Sequence, residues 1–209
     1  MTIGKFITIE GGEGTGKSTQ IKRLLKKLKT EGLEVIETRE PGGSIGAEKI
    51  RELVIGGNTD NWDPISEILL LCAARRHHMK EVILPALFEG KWVICDRFLD
   101  SSMAYQGIAQ GLGEARINNL SEFTLEGFMP DLTLVFDIPV EVGLKRAKSV
   151  EINKYERMDL SFHNKIRNAF IKIAAQNPER CVLIDAEADI KTITDEAWGV
   201  IKGRLLEAL

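Results

Sequence analysis

The chain has 209 residues, 44% hydrophobic and 28% charged, with 28 lysines and arginines against 31 aspartates and glutamates for a net charge of −3. That length fits one domain, expected to span 1–209, burying roughly 70% of the surface its unfolded form would expose, and the composition excludes disorder, collagen and coiled coil as the main organisation. The near-balanced charge offers no general polyanion-binding surface, so nucleic acid is not an expected partner and any phosphate chemistry is local.

The opening MTIGKFITIEGG carries no long apolar core of a signal peptide. No apolar run approaches the roughly 18 residues a membrane span needs, so no membrane partner is expected. Cys72, Cys95 and Cys181 are far apart, odd in number and set in apolar surroundings. They read as packing cysteines of a reduced compartment, and the cytoplasm is the expected location.

Five β-rich runs stand at 6–10 (FITIE), 34–38 (EVIET), 92–96 (WVICD), 132–138 (LTLVFDI) and 181–185 (CVLID). Most are nearly continuous apolar stretches, the pattern of strands buried on both faces of a parallel sheet. Between them lie helical patterns. Residues 17–30 put Ile21, Leu24, Leu25 and Leu28 on one stripe. A helix carrying Arg51 is expected after the second strand. The segment 64–88 opens on Asp63-Pro64, an N-cap followed by proline at the first helical position. Segments 160–176 and 190–209 are further amphipathic helices. Strands alternating with helices imply right-handed crossovers and a doubly wound α/β fold. The polar stretch 148–159 (KSVEINKYERMD) reads either as a solvated loop or as a mobile lid.

The first strand runs into Gly11-Gly12-Glu13-Gly14-Thr15-Gly16-Lys17-Ser18, a full match to G-x-x-x-x-G-K-[ST] between a strand and a helix. Glycines admit positive φ and let backbone N–H groups converge as an anion nest, and the helix N-terminus adds its positive end. Lys17 then reaches the β and γ phosphates, and the Ser18 hydroxyl suits Mg²⁺. Glu13 is out of place, since a carboxylate among phosphate-binding amides repels the ligand. It either points away into solvent, which the loop alone favours, or contacts an uncharged group such as a sugar hydroxyl.

Asp96-Arg97 directly follows WVIC, at the carboxyl edge where open α/β sheets bind ligands. Asp96 has the place of the second acidic element that holds Mg²⁺ in P-loop proteins. Arg97 needs a partner there, either Asp96 or a phosphate. Arg39, Arg51, Arg75 and Arg76 lie in segments expected to converge on the same edge. Leu71 and Arg75, four apart, share a helix face on which a flat ligand can lie. The guanine-selecting N-K-x-D element of GTPases is missing, since Asn153-Lys154 is followed by Tyr155-Glu156. Phosphoryl transfer between two small molecules suits this set.

These residues resemble the thymidylate kinases, P-loop kinases that phosphorylate dTMP with ATP. The resemblance runs through IEGGEGTGKST, TREPGG, AEKIR, AARR, DRFLDSSMAYQG, PDLTLVFDIPVEVGLKRA, FHNKIR and LIDA. It implies a P-loop kinase fold, a five-stranded parallel sheet with helices on both faces and a short lid at about 148–159. It also implies ATP and dTMP as substrates, Mg²⁺ as cofactor and a homodimer. By resemblance, Glu13 contacts the sugar 3′-hydroxyl, Arg51 and Arg97 hold the acceptor phosphate, and Arg75 and Ser102 meet the thymine. Tyr105 lies beneath the deoxyribose, Asp96 is the Mg²⁺-associated carboxylate, and Thr19 and Arg146 join the P-loop around ATP.

Two positions depart from the family pattern. Leu71 stands where an aromatic ring stacks on thymine, a contact worth roughly 1–3 kcal/mol. The lid motif D-R-[IF]-E is replaced by Asn153-Lys154-Tyr155-Glu156. Lys154 keeps the charge but not the guanidinium fork, and Arg157 is the alternative lid cation. Two other readings stay open: a kinase of another nucleoside monophosphate or nucleoside, with Glu13 as its base, and a nucleotide-binding switch with slow hydrolysis.

Overall fold

The structure, a computed structural model, describes residues 3–56, 61–147 and 154–207. Strand β1 (Phe6–Gly11) leads through the P-loop into α1 (Lys17–Thr30), followed by β2 (Val35–Arg39) and α2 (Ile45–Ile55). Helix α3 (Pro64–His78) continues through a π-helical turn (Met79–Ile83) into α4 (Leu84–Phe88), so the expected helix 64–88 forms as one winding column. Asp63 accepts from the backbone N–H of Ile65 at 2.9 Å and of Ser66 at 3.2 Å, the cap its position before Pro64 implies.

Strand β3 (Trp92–Asp96) is followed by the short α5 (Leu99–Ser102), a π-helical stretch (Met103–Ala109) and α6 (Glu114–Leu125). Then come β4 (Leu132–Asp137), α7 (Val140–Arg146), a 3₁₀ turn (Lys154–Arg157), α8 (Leu160–Gln176), β5 (Cys181–Asp185) and α9 (Ile190–Ile201). The expected 190–209 helix changes character at Lys202, where a π-helical turn runs to Leu206. Helices α5, α6 and α7 have no counterpart among the expected elements. They are short or weakly amphipathic, and α6 buries only Ile117, Ser121 and Leu125.

All strand pairs are parallel, in the order β2-β3-β1-β4-β5. The central β1 is buried along its whole length, whereas the edge strands β2 and β5 are only partly covered. The period-2 alternation of β1 divides the two layers. Ile7 and Ile9 pack with Leu24 and Leu28 of α1 and Ala197 of α9. Phe6 packs on the opposite face with Ile68, Met79 and Phe98. The even-numbered face also carries Thr8 and Glu10, both fully buried. All three cysteines are buried, with Cys72 and Cys95 in the α3 layer and Cys181 under α8. The sheet thus brings the ends of β1 and β3 side by side, Ile9 opposite Asp96, and sets the P-loop beside the segment that follows β3.

Candidate active site

One cleft of about 1290 Å³ opens over the carboxyl edge of the sheet. Its wall includes Glu13 through Thr19, Arg51, Leu71, Arg75, Asp96, Arg97, Ser102, Tyr105 and Arg146. Gly11 ends β1 and Gly12 follows it into the P-loop.

The P-loop takes its shape from glycine backbones. Gly11, Gly14 and Gly16 have φ of +135°, +70° and +86°, in the range only glycine occupies without strain. At Gly14 space decides as well, since a Cβ would sit 1.8 Å from the carbonyl oxygen of Gly143 in α7. Lys17 folds back over the loop, and its Nζ donates to the carbonyls of Gly11 at 3.1 Å and Gly12 at 2.8 Å. Burial and the nearby Arg97 push its ammonium below the ordinary lysine range, although Glu13 and Asp96 oppose them. The hydroxyl of Thr15 donates to the Gly12 carbonyl. Ser18 and Thr19 are exposed along the cleft.

Glu13 does not turn to solvent, as the loop alone favours. Its Oε1 accepts from Arg97 Nη2 at 3.0 Å and from the Tyr105 hydroxyl at 3.1 Å, with 17% of the side chain exposed. Burial works against its charge, but Arg97, Lys17 and Tyr105 outweigh it and hold the carboxyl below the usual range. Arg97 correspondingly pairs with Glu13, from which 84 residues of chain separate it. Its Nη1 also donates to the Gly11 carbonyl at 3.0 Å and the Ser101 hydroxyl at 3.1 Å, and its guanidinium lies 5.2 Å from the Tyr105 ring centre. The Arg97 backbone has φ +70°, uncommon outside glycine, and strained backbone of this kind concentrates at functional sites. Oδ1 of Asp96 is buried and meets no hydrogen-bond partner among the described residues.

On the other side of the 97–102 segment sits Arg75, 4% exposed. Its Nη2 donates to the Phe98 carbonyl at 3.0 Å and to Ser102 Oγ at 2.9 Å, and its Nε pairs with Glu40 at 2.6 Å. Glu40 also bonds His78 Nδ1 at 3.0 Å, and His78 Nε2 lies 2.6 Å from the Thr38 hydroxyl. Leu71, one turn before Arg75, presents an aliphatic surface to the cleft. Arg51 Nη1 donates to the Pro41 carbonyl at 2.8 Å. Arg39 reaches the cleft but is engaged by Glu48. Arg76 does not reach the cleft. It faces α6, donating to the Thr124 carbonyl and pairing with Glu126, because the residue after Arg75 points about 100° away around the helix.

Arg146 donates to the Ala186 carbonyl at the cleft margin. Of the expected lid, 148–153 lies outside the described residues. Lys154 begins the 3₁₀ turn, and Arg157, which ends it, is exposed. Between them Tyr155 enters the cleft wall, its hydroxyl bonded to Glu67 at 2.7 Å and its ring 5.0 Å from that of Tyr105. Glu10, Glu40, His78 and Gln106, whose amide donates to the Tyr155 hydroxyl at 3.1 Å, are missing from the expected site residues. A charged residue ending an otherwise apolar strand, as Glu10 ends FITIE, is the signal that marks the first of them.

The family profile described as thymidylate kinase matches residues 9–197. The chain belongs to the thymidylate kinase family. A thymidylate kinase of Caulobacter vibrioides is 49% identical over 98% of this chain and 99% of its own length. One from Afipia carboxidovorans is 49% identical over 99% of this chain and 92% of its own. A crystal structure of thymidylate kinase from Ehrlichia chaffeensis, 34% identical, superposes with a TM-score of 0.78 over 95% of this chain and 98% of that one. The five-stranded parallel sheet with helices on both faces is therefore the P-loop kinase fold of the thymidylate kinase family.

Proposed function

We propose that this thymidylate kinase family member transfers the γ-phosphoryl group of ATP to the 5′-phosphate of dTMP, giving dTDP and ADP. The observation that carries the reading is the continuity of the cleft. Arg97 reaches back to the P-loop carbonyl of Gly11, while Arg75 holds the far side of the same 97–102 segment beside Ser102. A donor site and an acceptor site thus share one wall.

Lys17 and the amides of Gly11, Gly12, Gly14, Thr15 and Gly16 would receive the ATP phosphates, with Thr19 and Arg146 beside the nucleotide. Lys17 gives up its bonds to the loop carbonyls for the phosphate oxygens. Arg51 and Arg97 hold the acceptor phosphate, Arg75, Ser102 and Leu71 meet the base, Tyr105 supports the sugar, and Glu13 takes the 3′-hydroxyl. The acceptor phosphate is already a nucleophile, so positioning and charge neutralisation do the catalytic work and no strong general base is required. Lys154 or Arg157 supplies the lid cation, and lid closure over 148–159 keeps water from the competing hydrolysis of ATP.

The donor set fits Mg²⁺, because Asp96, whose buried Oδ1 has no hydrogen-bond partner among the described residues, and Ser18, with its hydroxyl, line the same cleft. Bound there, Mg²⁺ would neutralise charge on the β and γ phosphates. We read the chain as one domain that acts as a homodimer in the cytoplasm. Exposed Leu53 of α2, Ile65 and Leu69 of α3 and Phe123 of α6, the last 81% exposed, support a second copy as partner. The buried thiols suit a reducing compartment. Among the described residues, no helix is long and apolar enough to cross a membrane.

ADP release measured with ATP, Mg²⁺ and each of dTMP, dUMP, dCMP, dGMP and thymidine tests the reading. Turnover strongly favouring dTMP is expected. Equal rates on several monophosphates would overturn the substrate assignment, and turnover independent of any acceptor would overturn the kinase.

A further inference from the structure

We propose that Glu10 is a positioning residue for phosphoryl transfer, holding Arg97 in place through Ser101. Glu10 is the penultimate residue of the central strand and is fully buried. A carboxylate at such a place is costly unless its acceptors are used. Burial and the neighbouring Asp100 push its carboxyl up to about 7, against the pull of Arg97, the Ser101 hydroxyl and the Phe98 amide. A valine or leucine at this position would avoid that cost, so the carboxylate has to be explained by what it contacts.

Its acceptor contacts converge on a single segment. Oε1 accepts from the backbone N–H of Phe98 at 2.8 Å and of Ser101 at 3.2 Å, and Oε2 accepts from the Ser101 hydroxyl at 2.6 Å. The Ser101 Oγ in turn accepts from Arg97 Nη1 at 3.1 Å. The order is thus directional: guanidinium to hydroxyl, hydroxyl to carboxylate. The two backbone bonds tie down the residues after Arg97, whose own backbone is strained at φ +70°. Strain of that kind persists only where the surroundings over-determine the conformation. Glu10 supplies that determination from beneath the segment, and the Ser101 hydroxyl passes it to the guanidinium.

This inference rests on the proposed role of Arg97 at the acceptor phosphate. It is tested by steady-state kinetics of the full chain with dTMP and ATP varied separately, comparing wild type, Glu10→Gln, Ser101→Ala and the double variant. In Glu10→Gln an N–H replaces Oε2, so the Ser101 hydroxyl faces two donors and the direction of the relay is lost. The KM for dTMP should rise about tenfold, the scale of one charge-assisted bond, with the KM for ATP within twofold. Ser101→Ala should move the same constant in the same direction. The double variant should be no worse than the larger single effect, since both cut one relay.

Unchanged dTMP constants, equal rises for ATP and dTMP, or multiplying effects in the double variant would overturn the proposal. If Glu10→Gln does not fold, Ser101→Ala alone decides, a selective rise in the dTMP KM supporting the relay and no change overturning it. A wild-type protein without activity on dTMP would instead sink the functional reading itself.

Discussion

The Nε of Arg75 lies 2.6 Å from Oε2 of Glu40, and each side chain is no more than 5% exposed. Glu40 shares its other oxygen with His78, so one carboxylate anchors both the Arg75 guanidinium on the cleft wall and the imidazole behind it. Burial opposes the Arg75 charge, but Glu40 outweighs it and raises its pKa. Removing one partner of a buried pair leaves the other charge uncompensated. Glu40→Ala is therefore expected to lower stability by about 3–5 kcal/mol. Urea unfolding of wild type and variant checks this, and a loss under about 1 kcal/mol would show that Arg75 is satisfied without Glu40.

Leu71 lies one helical turn from Arg75 and gives the cleft an aliphatic surface at the position proposed to meet the base. A phenylalanine there restores base stacking, worth roughly 1–3 kcal/mol. Leu71→Phe is expected to lower the KM for dTMP severalfold while leaving that for ATP unchanged. Kinetics with each nucleotide varied in turn measure it. An unchanged or raised KM for dTMP would mean that the base does not lie against this face of α3.

The lid cation is expected to act on the transferring group, so its loss should appear in kcat. Alanine at both Lys154 and Arg157 should reduce kcat by a factor on the order of 100, the scale of one preorganised charge at a developing transition state, with both KM values changed far less. The single variants then identify which cation acts. A double variant with intact turnover rate would eliminate both residues from this role.

Glu10 makes stability depend on pH. Its carboxyl titrates near 7 in the folded chain, chiefly through burial, against an ordinary value of 4.5. Between those values the folded state holds a proton that the unfolded state has released. Stability contributed by this group is thus present below about pH 4.5 and is lost as pH rises towards 7, by an amount on the order of 3 kcal/mol. Melting temperatures across pH 4.5 to 8 should show this decline, and Glu10→Gln should flatten it. A decline of equal size in the glutamine variant would assign it to other groups.

Local signals carried much of the architecture. Continuous apolar runs marked the strands, with β3 and β5 matching residue for residue; for β3 the reason is that a strand buried on both faces needs apolar residues at nearly every position, whereas β5 is a partly covered edge strand marked by its β-rich run alone. The cap and proline at Asp63-Pro64 marked the start of α3, and the glycine spacing marked the phosphate cradle, because both are requirements of the backbone itself. Helices α5 to α7 left no comparable mark, being short or only partly buried. Partners could not be read from the chain. Glu13 taken alone appeared bound for solvent, and Arg97 appeared paired to Asp96 or a phosphate. Only the parallel alignment of β1 beside β3 brings Glu13, 84 residues away in the chain, to the guanidinium of Arg97. Arg75 and Arg76 are chemically alike and adjacent, yet one enters the cleft and the other α6, since helix rotation and the packing of α3 decide which way each points. The sequence by itself determined the strands, the cradle and the chemistry available. Tertiary structure decided which charges meet, because a contact between distant residues depends on the sheet order and not on spacing along the chain.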